Sequence, residues 1–136
     1  MTSKYPHTDK IKNILRDKAD FVQQDGLNYL IPYWQRFAEE YADTEDLIYE
    51  WQNDLDTREI IDKIISILSD NERAKIELDL KPIDTAVIEK TFEINECVWG
   101  DREEKDKNFD RQKNWYYYRM NQNIFDNEAG EFTKRR

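Results

Sequence analysis

Apolar residues recur at helical spacing along the N-terminal part of the chain. One series predicts a helix from about Asp9 to Gln24, which Thr8 or Asp9 can cap and Gly26 can end. Its apolar face comprises Ile11, Ile14, Leu15, Ala19 and Val22. A second helix is predicted to begin near Pro32, because proline suits the first turn of a helix. That helix would bury Leu30, Tyr33, Trp34, Phe37, Ala38 and Tyr41.

Two further apolar stripes follow Thr44, and on a continuous helix they would lie about 100° apart. The first stripe consists of Leu47, Ile48, Trp51 and Leu55. The second consists of Ile60, Ile61, Ile64, Ile65 and Leu68. This phase shift predicts a break in the helix near residues 55–57. Asp56 and Glu59 have the spacing of a capping box, so a new helix can begin there.

The chain after the second stripe has clear helix signals followed by an ambiguous segment. Ser69 and Glu72 form another capping box, which predicts a helix over about residues 70–81. Pro82 is expected to end that helix, because proline lacks the backbone N–H and restricts the residue before it. Residues 86–99 fit a helix or a strand, since several apolar side chains alternate with polar ones.

The C-terminal part of the chain combines a charged stretch with an aromatic one. Ten of the thirteen residues in 101–113 are charged, which predicts a solvated connection. The four aromatic residues 115–118 favour an extended chain, and a short pairing of residues 91–98 with 115–120 is predicted. The run 115–118 can belong to the core or to an interface. The tail 127–136 is predicted to be loose.

Composition narrows the fold class. A chain of 136 residues has the length of one domain, and we treat residues 1–136 as a single domain. Charged residues make up 38% of the chain, but 13% of residues are aromatic, and that apolar area can offset the ordering entropy. Three glycines and three prolines are too few for an all-β fold. We therefore expect a mainly α, compact domain of four or five helices with a small extended or β element near the C-terminus.

Residue content argues against several function classes. Cys97 is the single cysteine and His7 the single histidine, which excludes an internal disulfide, a cysteine zinc cage and the usual histidine relays. No apolar run resembles a signal peptide or a membrane span, so we expect a cytoplasmic protein with no membrane partner. The pI of about 4.7 argues against direct binding of nucleic acid. We predict no catalytic residues and no cofactor.

The net charge is concentrated in residues 39–62, which we call the acidic segment. It holds ten carboxylates and one base, Arg58, and its charge of −9 equals the formal net charge of the whole chain. Such a field repels anions and attracts basic partners. Acidic side chains one helical turn apart repel each other, and this segment has almost no base to pair with them. The cost of this repulsion in stability suggests that the acidic side chains have a function, although a charge run is often only the solvated face of a helix.

The acidic segment therefore supplies the predicted site. We expect a non-enzymatic protein-binding module that engages a basic protein, in the manner of immunity proteins, antitoxins or charge-mimicking inhibitors that neutralise a toxin or nuclease. Aromatic anchors inside a charged rim are typical of binding hot spots. The predicted partner-binding residues are Glu45, Asp46, Tyr49, Glu50, Trp51 and Asp54.

Two other functions remain open at this level. Glu40 with Asp43, and Glu59 with Asp62, each place two acids on one helical face. Such pairs resemble the magnesium sites of all-α nucleotide pyrophosphohydrolases, which would imply a divalent-metal phosphohydrolase. Spacings of this kind also arise by chance in an acidic chain, so we predict no metal site. The second alternative is a structural oligomer subunit whose aromatic face is buried between copies.

Overall fold

A computed structural model describes residues 4–136, and the chain there is mainly helical with one small antiparallel sheet near the C-terminus. This confirms the predicted fold class. The described part of the chain contains seven α-helices, more than the four or five expected. They are α1 (Asp9–Ile14), α2 (Asp20–Asp25), α3 (Leu27–Arg36), α4 (Ile48–Ile65), α5 (Asp70–Glu89), α6 (Asp101–Lys107) and α7 (Gln122–Asn127). The strands are β1 (Phe92–Glu93) and β2 (Arg119–Met120).

The N-terminal helix is divided, so the prediction of one helix from Asp9 to Gln24 is wrong. Thr8 caps α1 as expected, accepting a hydrogen bond from the backbone of Ile11. The chain leaves the helix after Leu15, and the polar turn that follows separates α1 from α2. The Gln23 side chain holds this turn, donating to the carbonyl of Lys18 at 2.7 Å. Such a side-chain bond gives the backbone an alternative to the helical ladder.

Helix α4 is continuous from Ile48 to Ile65, so the predicted break near residues 55–57 is wrong. The phase shift has another cause. Helix α4 packs against α3, α5, α1 and the turn at Trp115–Tyr118, so it buries more than one face. Trp51 and Leu55 of the first stripe and Ile61 and Ile64 of the second are all fully buried. A helix surrounded by partners needs no single apolar stripe.

Proline lies inside two helices. The Ser69–Glu72 capping box is confirmed, but α5 passes through Pro82 and continues to Glu89, so the predicted stop is wrong. The carbonyl that Pro82 leaves without a partner belongs to Leu78, whose side chain is 72% exposed, so water can reach this side of the helix. Pro32 likewise lies within α3, which begins at Leu27 rather than near Pro32.

The predicted pairing of the C-terminal segments is confirmed, because β1 pairs with β2 and Phe92 lies opposite Met120. The aromatic run is a 3₁₀ turn at Trp115–Tyr118 rather than an extended chain. With three residues per turn, consecutive side chains point in three directions. The hydroxyls of Tyr116, Tyr117 and Tyr118 accordingly reach three different carboxylates, those of Asp62, Asp56 and Glu104. All three tyrosines are buried, which assigns them to the core.

Both segments expected to lack structure contain ordered backbone. The charged stretch 101–113 includes α6, which has no buried residue and is therefore solvated as expected. The segment 127–136, predicted to be loose, is hydrogen-bonded to β1 and to the residues just after it. The amide of Arg135 donates to Glu93, and the amide of Asn95 donates to Thr133, at 3.0 and 2.9 Å. These bonds extend the small sheet on its other edge.

Candidate functional site

A pocket of about 460 Å³ opens between α3, the first half of α4 and the π-helical turn Phe37–Tyr41 that extends α3. The loop 42–47 joins this turn to α4 and brings the chain back past the pocket. The pocket is therefore built largely from the acidic segment and the helix before it. Its lining residues are Tyr33, Arg36, Phe37, Tyr41, Glu45, Glu50, Asn53 and Asp54.

Two buried carboxyl groups form the floor of this pocket. Glu45 and Asp54 are each only 9% exposed, and their side chains are in hydrogen-bonding contact. The hydroxyl of Tyr33 donates to Asp54 Oδ1 at 2.5 Å. No N–H or O–H group of residues 4–136 donates to the buried Glu45 Oε2. The pair is thus held by one tyrosine and by the hydrogen bond between its two members, which requires a proton on one of the two carboxyl groups.

Burial raises the pKa of Glu45 to about 9, and the hydrogen bond and charge of Asp54 add to this effect. The negative charges of Glu50 and Asp46 act in the same direction. Two carboxylates in contact cannot both ionise readily, so Glu45 keeps its proton at neutral pH. The pKa of Tyr33 is also raised, chiefly by burial and then by its bond to Asp54. The pocket therefore holds a carboxylic acid that keeps its proton at neutral pH.

Asparagine side chains from the C-terminal region hold the loop 42–47. Asn121 is 1% exposed and donates to the carbonyls of Ala42 and Glu45 at 3.1 and 2.9 Å. The same side chain caps α7, accepting from the amide of Ile124. Two more asparagines, Asn123 and Asn127, donate to loop carbonyls. The position of Glu45 thus depends on residues far away in the sequence.

Exposed apolar and acidic side chains occur along residues 43–50, the stretch that contributes Glu45 and Glu50 to the pocket. Tyr49 is 69% exposed and Leu47 is 55% exposed. Asp43, Asp46 and Glu50 are exposed as well, and none of them forms an ion pair within the described residues 4–136. We call these five residues the acidic face.

The rim of the pocket on the α3 side carries one cation. The Arg36 side chain donates to Glu40 at 2.8 Å and lies over the ring of Tyr41, 5.9 Å from its centre. Arg36 is thus occupied by a neighbour one helical turn away. The carboxyl pair on the floor has no such cationic partner in the described chain.

The structure divides the six predicted binding residues. Asp46, Tyr49 and Glu50 are exposed as expected. Trp51 is fully buried and donates from Nε1 to the carbonyl of Arg119 at 3.2 Å, so its prediction as a surface anchor is wrong. Glu45 and Asp54 lie in the pocket floor instead of on an exposed stripe.

Sequence reasoning missed the contributions of Tyr33 and Arg36 to the site. Both lie on α3, and the helical spacing of the sequence places Tyr33 on the apolar face. One available signal was the position of Asp54, three residues after the apolar Trp51 and therefore on the same side of α4. A carboxylate on a buried face needs a hydrogen-bond donor, which Tyr33 supplies.

Three of the four residues of the metal alternative already have other partners, and the fourth, Asp43, is exposed. Glu40 binds Arg36 and Glu59 binds Lys63, at 2.8 and 3.3 Å. Asp62 is held by Arg58 at 2.5 Å and by the hydroxyl of Tyr116. Within residues 4–136, no three His, Cys, Asp or Glu side chains come together in a geometry that could hold a metal ion.

Compared with known proteins, the chain matches no family model, no curated protein and no solved structure. In the described residues, no helix is both long enough and apolar enough to cross a bilayer. What remains distinctive is the pocket with its carboxyl pair and the acidic face beside it.

The raised pKa of Glu45 predicts a pH dependence of stability. The folded protein holds a proton that the unfolded chain loses near pH 4.5. The contribution of this protonated Glu45 to the stability of the fold is fully present below that pH and is lost as the pH rises towards about 9. We expect Glu45→Gln, which keeps the hydrogen bond to Asp54, to remove this loss. In urea unfolding, the free energy of unfolding of the variant relative to that of the wild type should rise by at least about 1 kcal/mol from pH 5 to pH 9.

The matched control is Glu89→Gln, an exposed residue at the end of α5. It should follow the wild-type pH profile. A Glu45→Gln variant whose stability follows the wild-type profile at every pH would contradict the shared proton.

Proposed function

We propose that this protein is a non-enzymatic binding module that engages a basic surface of another protein through the acidic face. One observation carries the proposal. Tyr49 and Leu47 are more than half exposed and lie among Asp43, Asp46 and Glu50, which have no cationic partner in the described chain. Burying the two apolar side chains against a partner would supply affinity, and the carboxylates around them would select a cationic surface.

The arrangement of these charges is costly for the isolated protein. Asp46, in the loop just before α4, and Glu50, in the first turn of α4, both repel negative charge at Glu45, although Glu50 gains from the helix dipole. A basic partner would relieve the repulsion. Long-range attraction by the charge of the acidic segment would also speed encounter with such a partner.

A binding module of this type would suit neutralisation of a basic toxin or nuclease. Binding proteins of that kind need rapid association and a surface that mimics an anionic substrate. The acidic face supplies both, because it is concentrated in one part of the chain and backed by a loop that Asn121 holds in place. Rigid presentation lowers the ordering cost of binding.

The test uses a triple variant, Asp43→Asn with Asp46→Asn and Glu50→Gln. The partner is first captured from extract of the native cell on the wild-type protein, purified, and mixed with each variant in a stopped-flow instrument. We expect the association rate to fall about tenfold or more in the triple variant and to fall steeply with salt in the wild type. The folded state should be unchanged or slightly more stable, because repulsion is removed.

The matched control removes the same charge elsewhere, through Asp17→Asn, Asp25→Asn and Glu89→Gln. These three residues are exposed and lie outside the acidic segment. The control should keep most of the wild-type rate. Equal association rates for the triple variant and the wild type would show that the acidic face is only solvated surface.

A further inference from the structure

We propose that the pocket between α3 and α4 is a receptor for a guanidinium group, and that it takes one arginine side chain of the basic partner. This inference rests on the proposed function and names the chemistry at its centre. The acidic face would attract and orient the partner. The pocket would then select arginine over other cationic side chains.

The first argument is the state of the carboxyl pair. Glu45 is nine-tenths buried and lines the pocket, and no donor group of residues 4–136 reaches its Oε2 atom. Asp54 beside it receives the hydroxyl of Tyr33 and little else. Buried carboxyl oxygens without donors are costly, and a ligand that brings N–H groups would satisfy them. A cation with several N–H donors would therefore satisfy the free carboxyl oxygens.

The second argument is the shape of the pocket. Its volume of about 460 Å³ lies in the range of small-ligand sites, and aromatic rings of Tyr33, Phe37 and Tyr41 contribute to its walls. A guanidinium is planar, stacks on aromatic faces and presents five N–H donors in a fixed fork. It can donate to Glu45 and Asp54 at once. A lysine ammonium is a compact, strongly hydrated point charge that makes less use of the aromatic walls.

The third argument is charge balance. The groups facing Glu45 are Tyr33 and Arg36 from α3, Tyr41 from the π-helical turn, Asp46 from the loop, and Glu50 and Asp54 from α4. A guanidinium entering the pocket replaces the shared proton as the group that joins the two carboxyls. Glu45 becomes a carboxylate and its proton passes to the buffer, so the pocket gains one positive charge and loses another. Binding at neutral pH is thus coupled to release of one proton.

The experiment titrates the full-length protein with N-acetyl-L-arginine amide. Binding is followed by backbone amide NMR shifts, and proton release by calorimetry at pH 7.5 in phosphate and in Tris, which differ in ionisation enthalpy. We expect a dissociation constant on the order of 1 mM, because the probe is small. Shifts should cluster in residues 33–54, with about one proton released per arginine bound.

Two matched probes and one variant make the test specific. N-acetyl-citrulline amide has nearly the same shape without the charge and should not bind. N-acetyl-lysine amide should bind at least about threefold more weakly. Glu45→Gln, which we expect to stay folded, should weaken arginine binding about tenfold or more and abolish proton release.

Three results would overturn the inference: equal binding of citrulline and arginine, equal binding of lysine and arginine, or unchanged binding and proton release in Glu45→Gln. Failure here is distinguishable from failure of the proposed function. If the arginine probe does not bind but the triple variant still slows association with the protein partner, only the pocket assignment falls. If the triple variant binds its partner at the wild-type rate, the acidic face itself has no binding role.

Discussion

Replacing Arg58 by methionine is expected to lower the free energy of unfolding by about 3–5 kcal/mol. Arg58 is 7% exposed and lies between two aspartates inside the fold. Its guanidinium binds both oxygens of Asp84 at 3.0 Å and Asp62 Oδ1 at 2.5 Å. Removing the cation leaves two largely buried carboxylates facing each other, which costs more than the ion pairs themselves contribute.

The network around Arg58 ties three helices to the aromatic turn. Asp84 of α5 also accepts from Trp34 Nε1 at 2.9 Å, and Asp62 accepts from the hydroxyl of Tyr116 at 2.9 Å. Burial raises the pKa of Asp62, and the charge and hydrogen bond of Arg58 oppose that rise. The loss in Arg58→Met should therefore be largely recovered when Asp62→Asn and Asp84→Asn are added, since amides carry no charge to leave uncompensated.

Urea unfolding of the single and triple variants measures both effects. The matched control is Arg102→Met, because Arg102 is exposed on α6 and its contact with Asp106 is 3.9 Å long. That control should change stability by no more than about 0.5 kcal/mol. A loss below about 1 kcal/mol in Arg58→Met would mean that Asp62 and Asp84 find other partners.

Truncating Trp34 to alanine is expected to cost about 3–5 kcal/mol. The indole is fully buried, and its ring stacks on Phe37 with centroids 5.1 Å apart and planes inclined by 17°. Trp34→Ala removes this apolar area, leaves a cavity and deletes the hydrogen bond to Asp84. Trp34→Phe should cost less, because it keeps most of the packing and loses mainly that bond.

Thermal and urea unfolding report this difference directly. Tyr49→Ala is the matched aromatic control, since Tyr49 is 69% exposed and should contribute no more than about 0.5 kcal/mol. Similar losses at Trp34 and Tyr49 would show that the faces of α3 and α4 are misassigned. If the losses differ as expected, Tyr49 can be altered in binding studies without disturbing the fold.

The two proposals assign different roles to parts of the same acidic segment. Exposed carboxylates such as Asp46 act at long range and lose their effect in salt. The buried pair of Glu45 and Asp54 acts at short range in a less polar environment, where screening is weak. Substitutions in the acidic face should therefore change the salt dependence of the association rate, and substitutions in the pocket should change the number of protons released on binding. The segment's ten carboxylates also include Asp62, which serves the Arg58 network instead.

Local sequence signals determined the fold class and several element boundaries. The Ser69–Glu72 capping box, the Thr8 cap and the pairing of residues near Phe92 and Met120 were all predictable, because each depends on residues a few positions apart or on strong alternation. The concentration of charge in residues 39–62, and the exposure of Asp46 and Glu50, also followed from the sequence.

Tertiary structure alone decided the extent of the two long helices and the burial of the carboxyl pair. The continuity of α4 and the passage of α5 through Pro82 reflect packing on several sides, which outweighs a local phase shift or a missing N–H. The burial of Glu45 and Asp54 depends on Tyr33, 21 positions from Asp54, and on Asn121, 76 positions from Glu45. A carboxyl group can be buried only where the fold brings a donor or a shared proton to it. No spacing rule within one helix contains that information, because Tyr33 lies on another helix and Asn121 lies just before α7.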